Sequence, residues 1–305
     1  MRFLILFFIC CNHVSFSQNE VFKAIELDEI TISAALEDFK IEDFVTRVKN
    51  DTSFYKAFLN LKYFPQKFNS SIVVYNKEDS EKASMTRKSK RMVENNMMWV
   101  EITEEKTNGK IKDKKGNFNY LTADMFDEVF FNVEKEKVSN NIGNVKQELS
   151  TESKIERHKS QLKKMMFNPG QEIGNVPLIG NKMAIFDDAM VPFYDYKISS
   201  KMYDQVDCYV FTITAKPEFK NDETVIKELI SYFDKETMNV MGREYHLEHT
   251  TILFDFDIRM KIQNFIQEGQ LLPKLIEYAG FWDVPFKKPE VVAFNIQCFE
   301  YSTFR

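Results

Sequence analysis

The chain is short of the residues that carry most recognisable chemistry. It has only four cysteines, and two of these, Cys10 and Cys11, fall in an apolar run at the N-terminus. Cys208 and Cys298 remain, too few for a thiolate metal cluster. There is no Gly-x-Ser-x-Gly elbow, no phosphate-cradling glycine loop and no zinc-binding helix motif. No stretch beyond the N-terminus reaches 18 consecutive apolar residues, so no later helix is expected to span a bilayer. Basic charge is not in excess either, with 41 Lys and Arg against 46 Asp and Glu. That balance excludes the positive stripe of a nucleic-acid binder.

What is present begins with a leader. Arg2 precedes nine apolar residues, 3–11, and Ser15 and Ser17 occupy the −3 and −1 positions of a cleavage site. One positive charge, a short apolar core and small residues before the cut describe a secretory signal peptide, 1–17. Ile9, not a small residue, precedes Cys10, which argues against lipid attachment there. The mature chain is then expected to run from Gln18 to Arg305 as one domain, 18–305, exported to the periplasm or the outer membrane. In that setting a disulfide between Cys208 and Cys298 is permissible. Two buried free thiols are the alternative.

Along the mature chain, residues 27–34 alternate like a short strand, and 37–50 carry Phe39, Phe44, Val45 and Val48 at helical spacing. Asp51 is placed to cap a second helix bearing Phe54, Phe58 and Leu61. Strands are expected at 72–75, 83–93 and 97–103, with Asn108–Gly109 as a hairpin dipeptide and 115–117 as a further turn. Short helices follow at 124–131 and, from a Ser153/Glu156 capping box, near 153–166.

The clearest signal lies at 252–262. Ile252, Phe254, Phe256, Ile258, Met260 and Ile262 alternate with Leu253, Asp255, Asp257, Arg259 and Lys261. Period-two alternation over eleven residues requires a strand with one apolar and one wet face. Val292, Phe294, Ile296 and Cys298 repeat it, and further strands are expected at 204–216, 225–234, 238–247 and 271–282. The fold class that follows is α+β: a curved antiparallel sheet, an incomplete β-barrel, covered by N-terminal and central helices.

Polar candidates are weighed against that frame. His246 and His249, three apart on a strand, point to opposite faces and cannot ligate one ion together, so no metal site is assigned. Asp255 and Asp257 share a face, but Arg259 and Lys261 continue the same row and neutralise it. Lys82, Arg87, Lys88, Lys90 and Arg91 form a basic cluster, expected on a solvated strand face; anionic lipid headgroups or an acidic partner are the alternative contact.

The block 27–64, with Asp51-Thr52-Ser53-Phe54-Tyr55-Lys56-Ala57-Phe58, resembles exported proteins of Bacteroidota to which no activity is assigned. Phe167-Asn168-Pro169-Gly170 and Leu253-Phe254-Asp255-Phe256-Asp257 carry the same resemblance. At fold level the curved sheet is similar to the periplasmic lipoprotein-carrier half-barrels. This implies a non-catalytic envelope protein, without cofactor, that binds a lipid or acylated protein on its concave face. The residues expected to line that face are Phe254, Phe256, Ile258, Met260, Trp282 and Phe294. An interaction module with a filled core, docking to an envelope protein, is the alternative, and a hydrolase the third.

Overall fold

The computed structural model describes residues 25–27, 41–138, 169–170, 179–219, 223–250, 255–284 and 287–302. The leader 1–17, most of the strand expected at 27–34 and the helix expected near 153–166 lie outside the described residues.

Three helices are described. The stripe Phe44, Val45 and Val48 forms α1 (Ile41–Lys49), whose buried face is those three residues. Helix α2 (Ser53–Asn60) follows. Thr52 stands at its N-cap, and Asp51 serves from one residue earlier: its carboxylate accepts from Ser53 N at 2.9 Å and Ser53 Oγ at 2.7 Å. That satisfies a helix-start donor which would otherwise lack a partner. Helix α3 (Leu121–Phe130) buries Ala123, Met125, Phe126 and Phe130.

Twelve strands build one sheet: β1 (Ile25–Leu27), β2 (Gln66–Tyr75), β3 (Glu81–Glu94), β4 (Met97–Gly109), β5 (Glu136–Lys137), β6 (Tyr194–Tyr203), β7 (Val206–Ala215), β8 (Ile226–Asp234), β9 (Val240–Thr250), β10 (Asp255–Gln267), β11 (Gln270–Asp283) and β12 (Glu290–Phe299). Their order is β1-β6-β7-β8-β9-β10-β11-β12-β2-β3-β4-β5. Two meanders, β2–β5 and β6–β12, are thus joined by the pairing of the last strand with the second, Phe294 opposite Ile72. All pairings are antiparallel except β1 with β6. Among the described residues the sheet does not close, and its edges are the short β1 and β5.

Strand parity matches the sequence where the alternation is clean. Phe256, Ile258, Met260 and Ile262 of β10 are buried, between the half-buried Asp255, Asp257 and Lys261 and the exposed Arg259. A continuous apolar core runs over the inner face from Val100 on β4 to Ile198 on β6. A smaller cluster of Cys208, Val210, Tyr232, Met241, Leu271 and Ala57 stands apart from it. Among the described residues no helix is long and apolar enough to cross a membrane.

Three expectations are corrected. Asn108–Gly109 is not a hairpin tip: it ends β4, opposite Ser84 and Ala83. The β3–β4 turn is made by Asn95 and Asn96, both left-handed at φ 50 and 59, a conformation asparagine tolerates. Gly109 is needed for another reason, since a Cβ there would stand 2.3 Å from Lys82 O. Strand β6 was not expected, although Tyr194, Tyr196 and Ile198 alternate with Asp195 and Lys197. The disulfide is absent: Cys208 and Cys298 are free and buried. They sit on β7 and β12, five strand spacings apart, roughly 24 Å along the sheet, whereas a disulfide requires Cα atoms within about 7 Å.

Candidate functional site

Of the six residues expected to line the concave face, five fall in one patch on the inner side, and Phe254 lies outside the described residues. The register makes the patch. Phe256 pairs with Trp282, Ile258 with Gly280 and Met260 with Tyr278, while Tyr278 pairs with Phe294 on β12. Gly280 is required here: a Cβ would stand 2.1 Å from the Tyr278 hydroxyl. The tyrosine ring lies across that gap, and its hydroxyl oxygen accepts a hydrogen bond from Trp282 Nε1 at 2.5 Å. Phe256 and Trp282 rings are 5.3 Å apart, and the Tyr245 hydroxyl donates to Met260 Sδ at 3.1 Å.

The patch is occupied by the chain's own side chains. Phe126 of α3 stacks on Phe294 with centroids 4.0 Å apart, and meets Tyr278 edge-on at 5.1 Å. Phe256, Ile258, Met260, Trp282 and Phe294 are each no more than 4% exposed. On the other half of the sheet, Phe44 of α1 meets Phe211 and Phe233 edge-on. Helix α2 is tied to β9 and β11: Val240 N donates to Ser53 Oγ at 3.1 Å, and Asn60 Nδ2 to Leu271 O at 2.8 Å.

Helix α3 is clamped at both ends by residues of the sheet. At its start the buried Glu290 carboxylate accepts from Leu121 N at 2.7 Å, Thr122 N at 3.1 Å and Thr122 Oγ1 at 3.1 Å. A carboxylate suits the positive end of a helix dipole, and it satisfies two orphan donors there. At its end Arg91 Nη2 donates to Phe130 O at 2.9 Å, where a cation suits the negative end.

That arginine corrects the expected basic face. Strand β3 alternates, so only Lys82, Lys88 and Lys90 of the five cations point to solvent, while Arg87 and Arg91 are 4% exposed. Arg87 is compensated: Nε donates to Glu105 at 2.7 Å and Nη1 to Asp127 at 2.5 Å, with the guanidinium 4.7 Å from the Phe131 ring centroid. Ala83 and Met85 set the inward parity two and four residues before Arg87, a signal that the count of charges hid.

The outer face carries a group that spacing within one strand did not reveal. His246 Nε2 lies 3.0 Å from Asp257 Oδ1 and 3.6 Å from Glu248 Oε2. Cross-strand pairing of Glu248 with Asp257 assembles them. Arg259 Nη1 donates to the same Asp257 oxygen at 2.9 Å, so a divalent ion would have to displace it. Of the expected neutralisation of the acidic row, the pair Arg259 with Asp257 is formed, while Lys261 lies 3.9 Å from Glu244. His249, expected at the surface, is instead 3% exposed, its ring 6.4 Å from that of Phe256.

No family model and no curated protein matches the chain. Three solved structures are similar to it in outline. A family DUF1329 protein from Desulfovibrio piger has a TM-score of 0.23 and 10% identity, covering 81% of this chain and 89% of its own. A putative outer membrane lipoprotein-sorting protein domain from Vibrio parahaemolyticus has a TM-score of 0.25 and 5% identity, with coverage of 82% and 90%. Lipovitellin, described for its lipid–protein interactions, has a TM-score of 0.23 and 6% identity; the match covers 79% of this chain and 25% of lipovitellin.

Proposed function

We propose that this chain is an exported, non-catalytic binding protein, one domain over 18–305, that holds a lipid or the acyl chain of a lipidated protein against the inner face of its sheet. It would act in the periplasm or against the outer membrane of a Bacteroidota-type envelope. The observation that carries this reading is a continuous apolar inner face on a sheet that stays open, with short strands at both edges. Here, displacement of α3 from Phe294 and Tyr278 uncovers apolar surface with every ladder intact.

The energetics suit such a ligand. Each buried methylene contributes about 0.8 kcal/mol, and micromolar affinity needs about 8 kcal/mol, so a chain of ten or more methylenes suffices only when ordering costs stay small. Recognition of this kind depends on shape and apolar area, in keeping with a sequence that carries no catalytic motif.

One observation favours the filled-core interaction module instead: the five described patch residues are already buried within the protein, Phe294 under the ring of Phe126. Mass spectrometry of a solvent extract of protein purified from its native envelope separates the two. A lipid recovered at about one per chain supports the carrier; a lipid-free extract supports the module.

A further inference from the structure

Three arginines are buried among the described residues, and they are not alike. Arg87 holds two carboxylates. Arg243 has Asp51 at 3.7 Å and the Phe54 ring at 4.3 Å. Arg91, 4% exposed, has no ion pair among the described residues. Its polar contacts are the Phe130 carbonyl, taken by Nη2, and Met98 Sδ at 3.9 Å from Nη1, while Nε–H has no partner.

Its neighbours share the deficit. Gln66 is the cross-strand partner of Arg91, and Ser89 lies two residues along the same inward row of β3. Both are 3% exposed, and Gln66 Oε1 and Ser89 Oγ have no hydrogen-bond partner. Buried polar atoms left unpaired cost about 1–3 kcal/mol each, so native proteins contain few, and each points to a missing partner. Two of them, Arg91 Nε–H and the Ser89 hydroxyl, are donors on one inward row, one of them carrying a full positive charge, and they point to a partner that is anionic.

Among the described residues, the nearby groups do not supply that charge. Burial pushes the Cys298 thiol up to about 11 despite Arg91, and raises the Tyr301 phenol, so both stay neutral at pH 7. Glu136 on β5 acts on the guanidinium only through space. From Arg91 the inner face continues through Phe68, Ile72, Ile296 and Phe294 to the apolar patch. Cys298 to Phe294, four residues of β12, spans about 13 Å.

We propose that Arg91, with Ser89 and Gln66, receives the carboxylate of a single-chain anionic amphiphile whose tail lies along β2 and β12 toward Phe294. This rests on the carrier reading and names its ligand class. The carboxylate would accept from Nε–H of Arg91 and the Ser89 hydroxyl, with Gln66 beside them on β2. Because Arg91 also holds the last turn of α3, a ligand that engages it acts on the helix that covers Phe294.

The test is fluorescence titration of delipidated mature protein with cis-parinaric acid and with its methyl ester, for the wild type and Arg91→Met, each variant checked by thermal melting. The wild type should bind the acid at least about tenfold tighter than the ester, 1.4 kcal/mol. Arg91→Met should erase that preference, so that the acid and the ester bind alike. Inorganic phosphate alone should leave the melting temperature unchanged. Equal binding of acid and ester by the wild type would overturn the head-group site and leave the carrier standing. A phosphate-induced stabilisation lost in Arg91→Met would make it a small-anion site and overturn the amphiphile. Binding of neither probe would overturn both readings. The wild-type comparison decides the matter even where Arg91→Met fails to fold.

Discussion

Phe126 of α3 lies flat on Phe294 of β12, ring centroids 4.0 Å apart and planes 17° from parallel. This contact, with those of Phe126 to Tyr278 and Phe130 to Phe294, joins the helical layer to the candidate ligand patch, and the carrier account turns on whether it can open. Phe126→Ala should lower unfolding stability by about 3 kcal/mol, the usual cost of deleting a buried phenylalanine. It should also raise affinity for an apolar probe, because the ring it uncovers is part of the patch. Urea denaturation beside probe titration measures both. A stability change below about 0.5 kcal/mol would mean that α3 does not hold the face.

The parity of β10 is tested by a neighbouring pair. Phe256 is 2% exposed, so Phe256→Asp should prevent folding by burying an unpaired charge. Asp257→Asn, on the outer face, removes contacts to His246 and Arg259 that solvent can replace, and should cost under about 1 kcal/mol. Circular dichroism and urea melts distinguish these outcomes, and comparable losses would contradict the one-faced strand.

Acid should weaken the protein partly through Glu105. Burial works to raise its carboxyl, yet hydrogen bonds from Lys112 and Arg87, together with their charges, outweigh it and hold the group below its ordinary 4.5. A depressed native pKa gives a contribution that is whole above the unfolded value and lost as pH falls through the native one. Glu105→Gln should therefore flatten the decline in stability below about pH 4.5. Denaturation midpoints at a series of pH values measure this, and parallel curves for both proteins would refute it.

The mature protein should carry two thiols that are silent when folded. Burial raises both Cys208 and Cys298 to about 11, so neither offers appreciable thiolate at pH 8. A thiol reagent should titrate none in the native protein and two in denaturant. A count of zero in denaturant would restore the disulfide.

What the sequence made legible was local. The alternation at β10 and β12 announced strands with one buried face, and the stripe Phe44, Val45 and Val48 announced α1. These patterns are enforced by one burial direction and need no distant partner. Pairing of β12 with β2 was not legible, because nothing in either strand names the other across more than 200 residues. The His246, Glu248 and Asp257 group was hidden for the same reason, since it exists only through the register of β9 with β10. Arg87 and Arg91 were misread for a different cause. Counting charge outweighed the parity set by Ala83 and Met85, although a guanidinium can be buried when rings and acceptors surround it.

The central claim, that the inner face takes an apolar chain, is tested most directly through Trp282. The chain has two tryptophans, and Trp282 lies in the patch while Trp99 sits on β4, far from it in strand order. Trp99→Phe leaves Trp282 as the only indole donor. Titration of that variant, delipidated, with a fluorescent fatty-acid analogue should quench Trp282 by energy transfer, saturably and at about one ligand per chain. Unchanged Trp282 emission over the full titration, with the protein folded, would contradict the account and leave the filled-core module in its place.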